Sequence, residues 1–313
     1  MKVDHPGAFP ILFPPRLAIG DTVAIAAPAS PPEQPEKIDE VIQRLTIYGF
    51  QIKSGKHLRK RDGYLAGSDE ERAEDIKTFF ADPEVKAIFA LRGGYGSCRI
   101  LPLLDYASIR MHPKPFIGYS DITAMQLAIF AKSGVITFHG SNATSAFEPG
   151  NQTACRRALM DPLDPKGTVL FARGDTYAKA LKTVRPGRVR GRLLGGNMTC
   201  LLRLIGTPYA PDFRGAVLFL EDTGEKAYRV DGMFTHLRLA GILPQIAGLV
   251  LGQFDHTDAE ERVRIAACLQ REAERAGVPC VSGAPIGHMV EQIMAPQGAM
   301  AELDAGEGQL LFK

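Results

Sequence analysis

At 313 residues, with 45% apolar and 23% charged side chains, the chain has the make-up of an ordinary globular protein of one large or two medium domains, and disordered and fibrous classes are excluded. Its 37 basic and 35 acidic side chains leave a net charge of +2, so no general field draws in nucleic acid or an anionic membrane, and neither is expected as a partner. From Asp21 onward, short β-rich runs alternate with longer amphipathic ones, the pattern of a parallel sheet with crossover helices. TVAIAAPAS reads as a first strand, and Ile38, Val41, Ile42 and Leu45 fall on one face of a helix that stops near Gly49. QIKSG reads as a second strand. Ser68 and Glu71 form a capping box ahead of a helix whose Ile76, Phe79 and Phe80 face a core. VKAIFAL is then a strand ending in RGGYG, PFIGYS a strand entering a sharp turn, DITAMQLAIFAKSG a helix closed by Gly134, and VITFHG a further strand.

Between roughly Gly150 and Gly191 the apolar rhythm weakens and Pro, Gly and basic residues accumulate, most densely over 179–192. That run reads as a solvated connection. An N-terminal α/β domain is therefore expected over 1–170, a linker over 171–190 and a C-terminal α/β domain over 191–313. Beyond the boundary, AVLFLE, LVLGQF and PCVSGAPIGH read as strands, helices start near Arg229 and Asp258, and MAELDAGEGQLLF reads as a hairpin turning at Gly306 to Gly308. Five cysteines (Cys98, Cys155, Cys200, Cys268, Cys280) are scattered without a CxxC pair, which suits reduced thiols rather than a zinc or dithiol site. MKVDHPGAFPILFPPR breaks its apolar residues with prolines, unlike a secretory signal. No stretch approaches membrane-spanning length, so a cytoplasmic location is expected.

Ser120 falls where an apolar strand gives way to a helix, a turn that projects a side chain from the C-terminal edge of a sheet. The N–H of Asp121 then sits at a helix N-terminus, where it can face an anion. GYSD matches the GxSxG elbow only in part, since Ile122 replaces the second glycine, and on this motif alone an ordinary N-cap serine is the better reading. Gly93 and Gly94 of RGGYG allow close backbone approach to a substrate or simply a tight turn. They match neither GxGxxG nor a Walker A loop. Arg92 suits a substrate carboxylate or an internal ion pair.

A serine nucleophile needs a base. Of the seven histidines, His5 and His57 lie in terminal or polar surroundings, His112 in a loop and His236 on a helix, while His139, His256 and His288 each follow an apolar strand. Spacing alone does not choose among those three. Glu221 ends the strand AVLFLE, where a buried acid needs a partner and can orient a histidine. Asp222 as a helix cap and Glu225 in a salt bridge are the ordinary readings of its neighbours.

Taken together, RGGYGSCRILPLLDY, FIGYSDITAM, LLGGNMTCL, LFLEDTGEKAYRVDGM and PIGHM resemble, in order and over nearly the whole chain, the LD-carboxypeptidase (muramoyltetrapeptide carboxypeptidase) family. The resemblance implies Ser120 as nucleophile, His288 as general base and Glu221 as the acid that orients it, with oxyanion donors at the Asp121 N–H and at Gly93 and Gly94. It implies a flavodoxin-like or class I glutamine amidotransferase-like parallel-sheet N-terminal domain, a swivelling C-terminal α/β domain, and a site in the cleft between them. Neither metal nor cofactor is implied. The implied substrate is a murein tetrapeptide that loses its terminal D-alanine, and the implied assembly a homodimer. Arg92, Asn197 and Arg229 are candidate substrate-binding residues. Gly232 departs from the family, which carries a basic residue there. Two other functions stay open: the same triad acting on peptide–nucleotide antibiotics, and a non-catalytic two-lobed binding protein.

Overall fold

The computed structural model describes residues 9–164, 166–255 and 258–313. His5 and His256 lie outside them. The elements in chain order are β1 (Thr22–Ala26), α1 (Lys37–Tyr48), β2 (Gln51–Ser54), α2 (Asp69–Ala81), β3 (Val85–Ala90), α3 (Tyr106–Met111), β4 (Phe116–Gly118), α4 (Ile122–Ser133) and β5 (Thr137–His139). They continue with α5 (Gln152–Leu159), β6 (Thr168–Ala172), β7 (Lys182–Arg185), β8 (Arg188–Asn197), α6 (Met198–Leu202), β9 (Val217–Thr223), α7 (Ala227–Leu239) and β10 (Gly248–Asp255). α8 (Ala259–Ala276), β11 (Cys280–Ser282), β12 (Ala295–Gln297), β13 (Met300–Asp304) and β14 (Gln309–Phe312) complete the chain.

Local sequence accounts for most of these boundaries. Ser68 Oγ accepts the Glu71 N–H at 3.2 Å while the Glu71 carboxylate accepts the Ser68 N–H at 3.0 Å, so the expected capping box starts α2. Gly134 ends α4 with a left-handed φ of 72°, a conformation that costs glycine little. α4 is buried almost all round, with Ile122, Met125, Leu127 and Ile129 at 0% exposure, because it lies between the two sheets instead of against solvent. β13 and β14 pair antiparallel, Ala301 opposite Phe312, as the tail pattern predicts.

Two mixed sheets result, each flanked by helices. The first has the order β12-β5-β4-β3-β1-β2 and is parallel except at β12. The second has the order β6-β14-β13-β8-β9-β10-β11-β7, with β8 to β11 parallel. The expected linker over 171–190 needs correction. β6 runs through its start, β7 lies inside it and β8 begins before its end; β6 pairs with β14 and β7 with β11 at the two edges of the second sheet. An edge strand such as KTVR carries charge and only half-buried apolar residues, the usual guard against further pairing, so it lacks the rhythm of a core strand. PCVSGAPIGH also differs from expectation: only Cys280–Ser282 is strand.

β12 matters most for function. After the loop that carries His288, the chain leaves the second sheet and pairs with β5 of the first, Ala295 opposite His139. Gln297 fastens this crossing to β8: its amide accepts the Gly195 N–H at 3.0 Å and donates to the Gly195 carbonyl at 2.6 Å. The His288 loop is thereby fixed over the C-terminal edge of the first sheet, where β4 delivers Ser120. Among the described residues no helix is long and apolar enough to cross a membrane.

Candidate active site

Ser120 follows β4 and has φ of 63°, a left-handed backbone rare for a residue with a side chain and costing roughly 1–3 kcal/mol. The reading of Ser120 as a helix cap is not upheld: Asp121 is the N-cap position of α4, and no side chain caps that helix. Ser120 lines an open cleft together with Arg92, Gly93, Gly94, Tyr119, Asn142 and His288.

Two backbone segments face the serine. A Cβ on Gly93 would lie 2.8 Å from Ser120 Cβ, 3.1 Å from its Oγ and 3.2 Å from the Asp121 nitrogen, so glycine is required by the close approach of the turn to the α4 N-terminus. Gly94 has φ of 106° and packs on Ser30. The N–H groups of Gly93, Gly94 and Asp121 donate to no acceptor among the described residues, which leaves them for a developing oxyanion. Gly93→Ala is expected to lower kcat by about 10²–10³-fold, the scale of a lost oxyanion donor, with folding retained by circular dichroism. Wild-type turnover in that variant would mean that the turn takes no part in the reaction.

His288 lines the same cleft, and its Nδ1 lies 2.8 Å from Glu221 Oε2. Glu221 is fully buried at the end of β9. Burial pushes its carboxyl up, and the His288 hydrogen bond opposes that push. Burial pulls the His288 imidazole down, but the hydrogen bond and negative charge of Glu221, with the charge of Asp222 behind it, leave it above its ordinary value. The Nδ1 proton is thus held by Glu221, and Nε2 is the basic nitrogen. Tyr119 packs its ring 4.9 Å from the His288 ring and so limits its rotation.

The other strand-end histidine within the described residues is disposed differently. His139 is fully buried beside Phe219, neither ring nitrogen has a hydrogen-bond partner among the described residues, and burial pushes it down to about 3. It lines no part of the cleft and is neutral at working pH. Arg92 does line the cleft, donating to the Pro31 carbonyl at 3.2 Å. Asn197 does not: its amide donates to Asp222 at 3.0 Å and its oxygen caps α6 by accepting the Cys200 N–H at 3.1 Å. Arg229 is also outside, on the exposed side of α7 and paired with Glu225. Both carry a polar group that local sequence cannot distinguish from a ligand-facing one. Gly232 has open space where a Cβ would stand, so its departure from the family removes no packing from the site.

Sequence reasoning missed Gly287. With φ of 123°, its missing side chain leaves room for Glu221, whose Cβ and Oε2 would each lie 3.0 Å from a Cβ there. The glycine directly before the histidine of PIGHM was the available signal.

A strained serine beside free N–H donors, in one cleft with a carboxylate-backed imidazole, suits nucleophilic acyl transfer, and the class this defines is the serine-type hydrolases. Family models carry the assignment further, matching the LD-carboxypeptidase N-terminal domain at residues 23–140 and the LD-carboxypeptidase C-terminal domain at 190–303. The chain belongs to the LD-carboxypeptidase family and is a serine-type hydrolase that cleaves amide bonds. It is 36% identical over 308 residues to the "Probable murein peptide carboxypeptidase" of Bacillus subtilis, covering 96% of this chain and 94% of that one. Among solved structures, MccF in complex with glutamyl sulfamoyl guanosine superposes with a TM-score of 0.87 at 25% identity, covering 97% of this chain and 98% of that one. The muramoyltetrapeptide carboxypeptidase from Oxalobacter formigenes does so with a TM-score of 0.80 at 29% identity, covering 93% and 99%.

Proposed function

We propose that this hydrolase is an LD-carboxypeptidase that removes the terminal D-alanine of murein tetrapeptide in the cytoplasm, with Ser120 as nucleophile, His288 as general base and Glu221 as its orienting acid. The observation that carries the mechanism is the 2.8 Å hydrogen bond from buried Glu221 to His288, whose imidazole lines the same cleft as Ser120. His288 Nε2 takes the Ser120 proton as Oγ attacks the amide carbonyl, and the N–H groups of Asp121, Gly93 and Gly94 receive the oxyanion. The imidazolium, stabilised by Glu221, then gives its proton to the departing amine, and water repeats the sequence on the acyl-enzyme.

The cleft wall supports a peptide bearing both charges. Arg92 and Glu33 stand there with the ion pairs Lys37–Glu40 and Arg44–Glu148, a mixed lining suited to the carboxylates and free ammonium of a diamino-acid peptide. Arg92 adjoins the Gly93 turn and, among the described residues, its guanidinium makes one hydrogen bond, to the Pro31 carbonyl, so it is the candidate partner of the terminal carboxylate.

A second reading, hydrolysis of a peptide–nucleotide amide, has its own support. The superposition on MccF, at 0.87, is better than that on the Oxalobacter enzyme, at 0.80. The chain has no tryptophan, so base stacking would fall to tyrosine or phenylalanine. Incubation with a purified muropeptide mixture, read by mass spectrometry, is expected to remove one D-alanine from tetrapeptides and none from pentapeptides. Intact tetrapeptides beside a cleaved aminoacyl-sulfamoyl nucleoside would reverse the order of the two readings.

A further inference from the structure

We infer that Arg203, supplied by the C-terminal domain, is a positioning residue for the oxyanion donors of the N-terminal domain. The inference rests on the assignment of Ser120 as nucleophile. Arg203 stands at the C-terminal end of α6. Its guanidinium donates to Asp121 Oδ1 at 3.1 Å and lies 5.5 Å from the centroid of the Tyr95 ring. These contacts fall on the two segments that bear the donors. Asp121 offers its own N–H beside Ser120, and Tyr95 directly follows Gly93 and Gly94.

The Asp121 carboxylate is the node that joins them. Its second oxygen accepts the Ser97 N–H at 2.8 Å, and Ser97 Oγ returns a hydrogen bond to the Asp121 carbonyl at 2.6 Å. The exit of the glycine turn is therefore tied to the first turn of α4 by two bonds, and Arg203 holds the pair from the other domain. The Asp121 side chain has no exposure at all, and a charge in such a place needs a partner at hydrogen-bonding distance. Arg203 is 38% exposed, so its replacement opens no hole in a closed core.

α6 has a second role at its other end. The Asn197 N–H donates to Thr123 Oγ1 at 3.0 Å, and the Asn197 amide donates to Asp222, the neighbour of Glu221. One short helix thus spans the start of α4, which positions the oxyanion donors, and the end of β9, which positions the base. Oxyanion stabilisation depends steeply on geometry, and a displacement of about 1 Å is worth on the order of 10²-fold in rate. Arg203 is not one of the residues lining the cleft, and its effect travels through Asp121 and Tyr95.

The test uses peptide hydrolysis together with labelling of Ser120 by a fluorophosphonate, whose reaction needs the same donors but no peptide recognition. Arg203→Met is expected to lower both kcat and the labelling rate by about 10–100-fold with KM within about twofold. Arg203→Lys retains the charge without the planar stacking contact and is expected to lose about 3–10-fold. Arg203→Met combined with Asp121→Asn is expected to be no slower than the slower single variant, because both act through one node. Thermal melting checks that each variant is folded, and if Arg203→Met is not, Arg203→Lys decides alone. Wild-type labelling in Arg203→Lys and in any folded Arg203→Met, a loss confined to KM, or losses that multiply in the double variant would each overturn the inference. Wild-type enzyme unlabelled at Ser120 would instead remove the nucleophile assignment on which it rests.

Discussion

Replacing Ser120 by alanine is expected to lower kcat by about 10⁴–10⁶-fold and to leave the melting midpoint where it was, while replacing it by glycine lowers activity equally but raises the midpoint. Both variants delete the hydroxyl that would form the acyl-enzyme, so their rates should coincide. Stability separates them, because Ser120 sits at φ of 63° and alanine keeps the Cβ that makes that conformation costly. Glycine relieves roughly 1–3 kcal/mol of strain and returns about 0.5–1 kcal/mol through the greater freedom of its unfolded chain. A net gain on the order of 1 kcal/mol remains. Steady-state hydrolysis and thermal melting check both halves. An alanine variant that hydrolyses peptide at the wild-type rate would remove Ser120 from the mechanism. Equal melting of the two variants would mean that the strain in the turn is no larger than the roughly 0.5–1 kcal/mol that glycine returns.

Glu221→Gln is expected to lower kcat by about 10³–10⁴-fold and, in the same variant, to move the acidic limb of the pH–rate profile to lower pH. His288 accepts a proton only when neutral, so kcat/KM rises as pH passes upward through its pKa. In the wild-type enzyme Glu221 holds that pKa above the ordinary imidazole value, placing the limb above about pH 6.5. Glutamine keeps a group of the same shape but removes the charge. Burial, which disfavours the imidazolium, then acts with little opposition, and the limb shifts down. The rate falls for a separate reason: an amide can present its N–H to Nδ1 and hold the wrong tautomer. A limb that stays in place would show that Glu221 does not raise the His288 pKa, and a loss smaller than about tenfold would show that it does not orient the ring.

Much of the frame is local and could be read along the chain. Apolar residues at helical spacing mark α1 and α2, short apolar runs mark β1 and β3, a longer apolar run closed by Gly134 marks α4, and turn residues mark the closing hairpin, so these are legible from their own residues. Capping is equally local: Ser68 with Glu71 and Gly134 act within a single turn. The positions of Ser120 and Glu221 at the ends of apolar strands follow from the same patterns, because a strand-to-helix turn places a side chain at the sheet edge whatever the rest of the chain does. Edge strands escaped, since β7 carries the charge that keeps an edge soluble and therefore resembles a linker.

What the sequence determined by itself was thus the two α/β halves and the strand ends at which reactive groups collect. Which of those groups meet was decided only by tertiary structure. His139, His256 and His288 look alike by spacing. The return of β12 to the first sheet carries the His288 loop over Ser120, and close packing at Gly287 lets an imidazole and a carboxylate 67 residues apart come within 2.8 Å. The inward amide of Asn197, the outward guanidinium of Arg229 and the reach of Arg203 across to Asp121 were set in the same way. Periodicity reports each element's own buried face, whereas these pairings depend on the register between strands distant in the chain and on the twist that brings the sheets together.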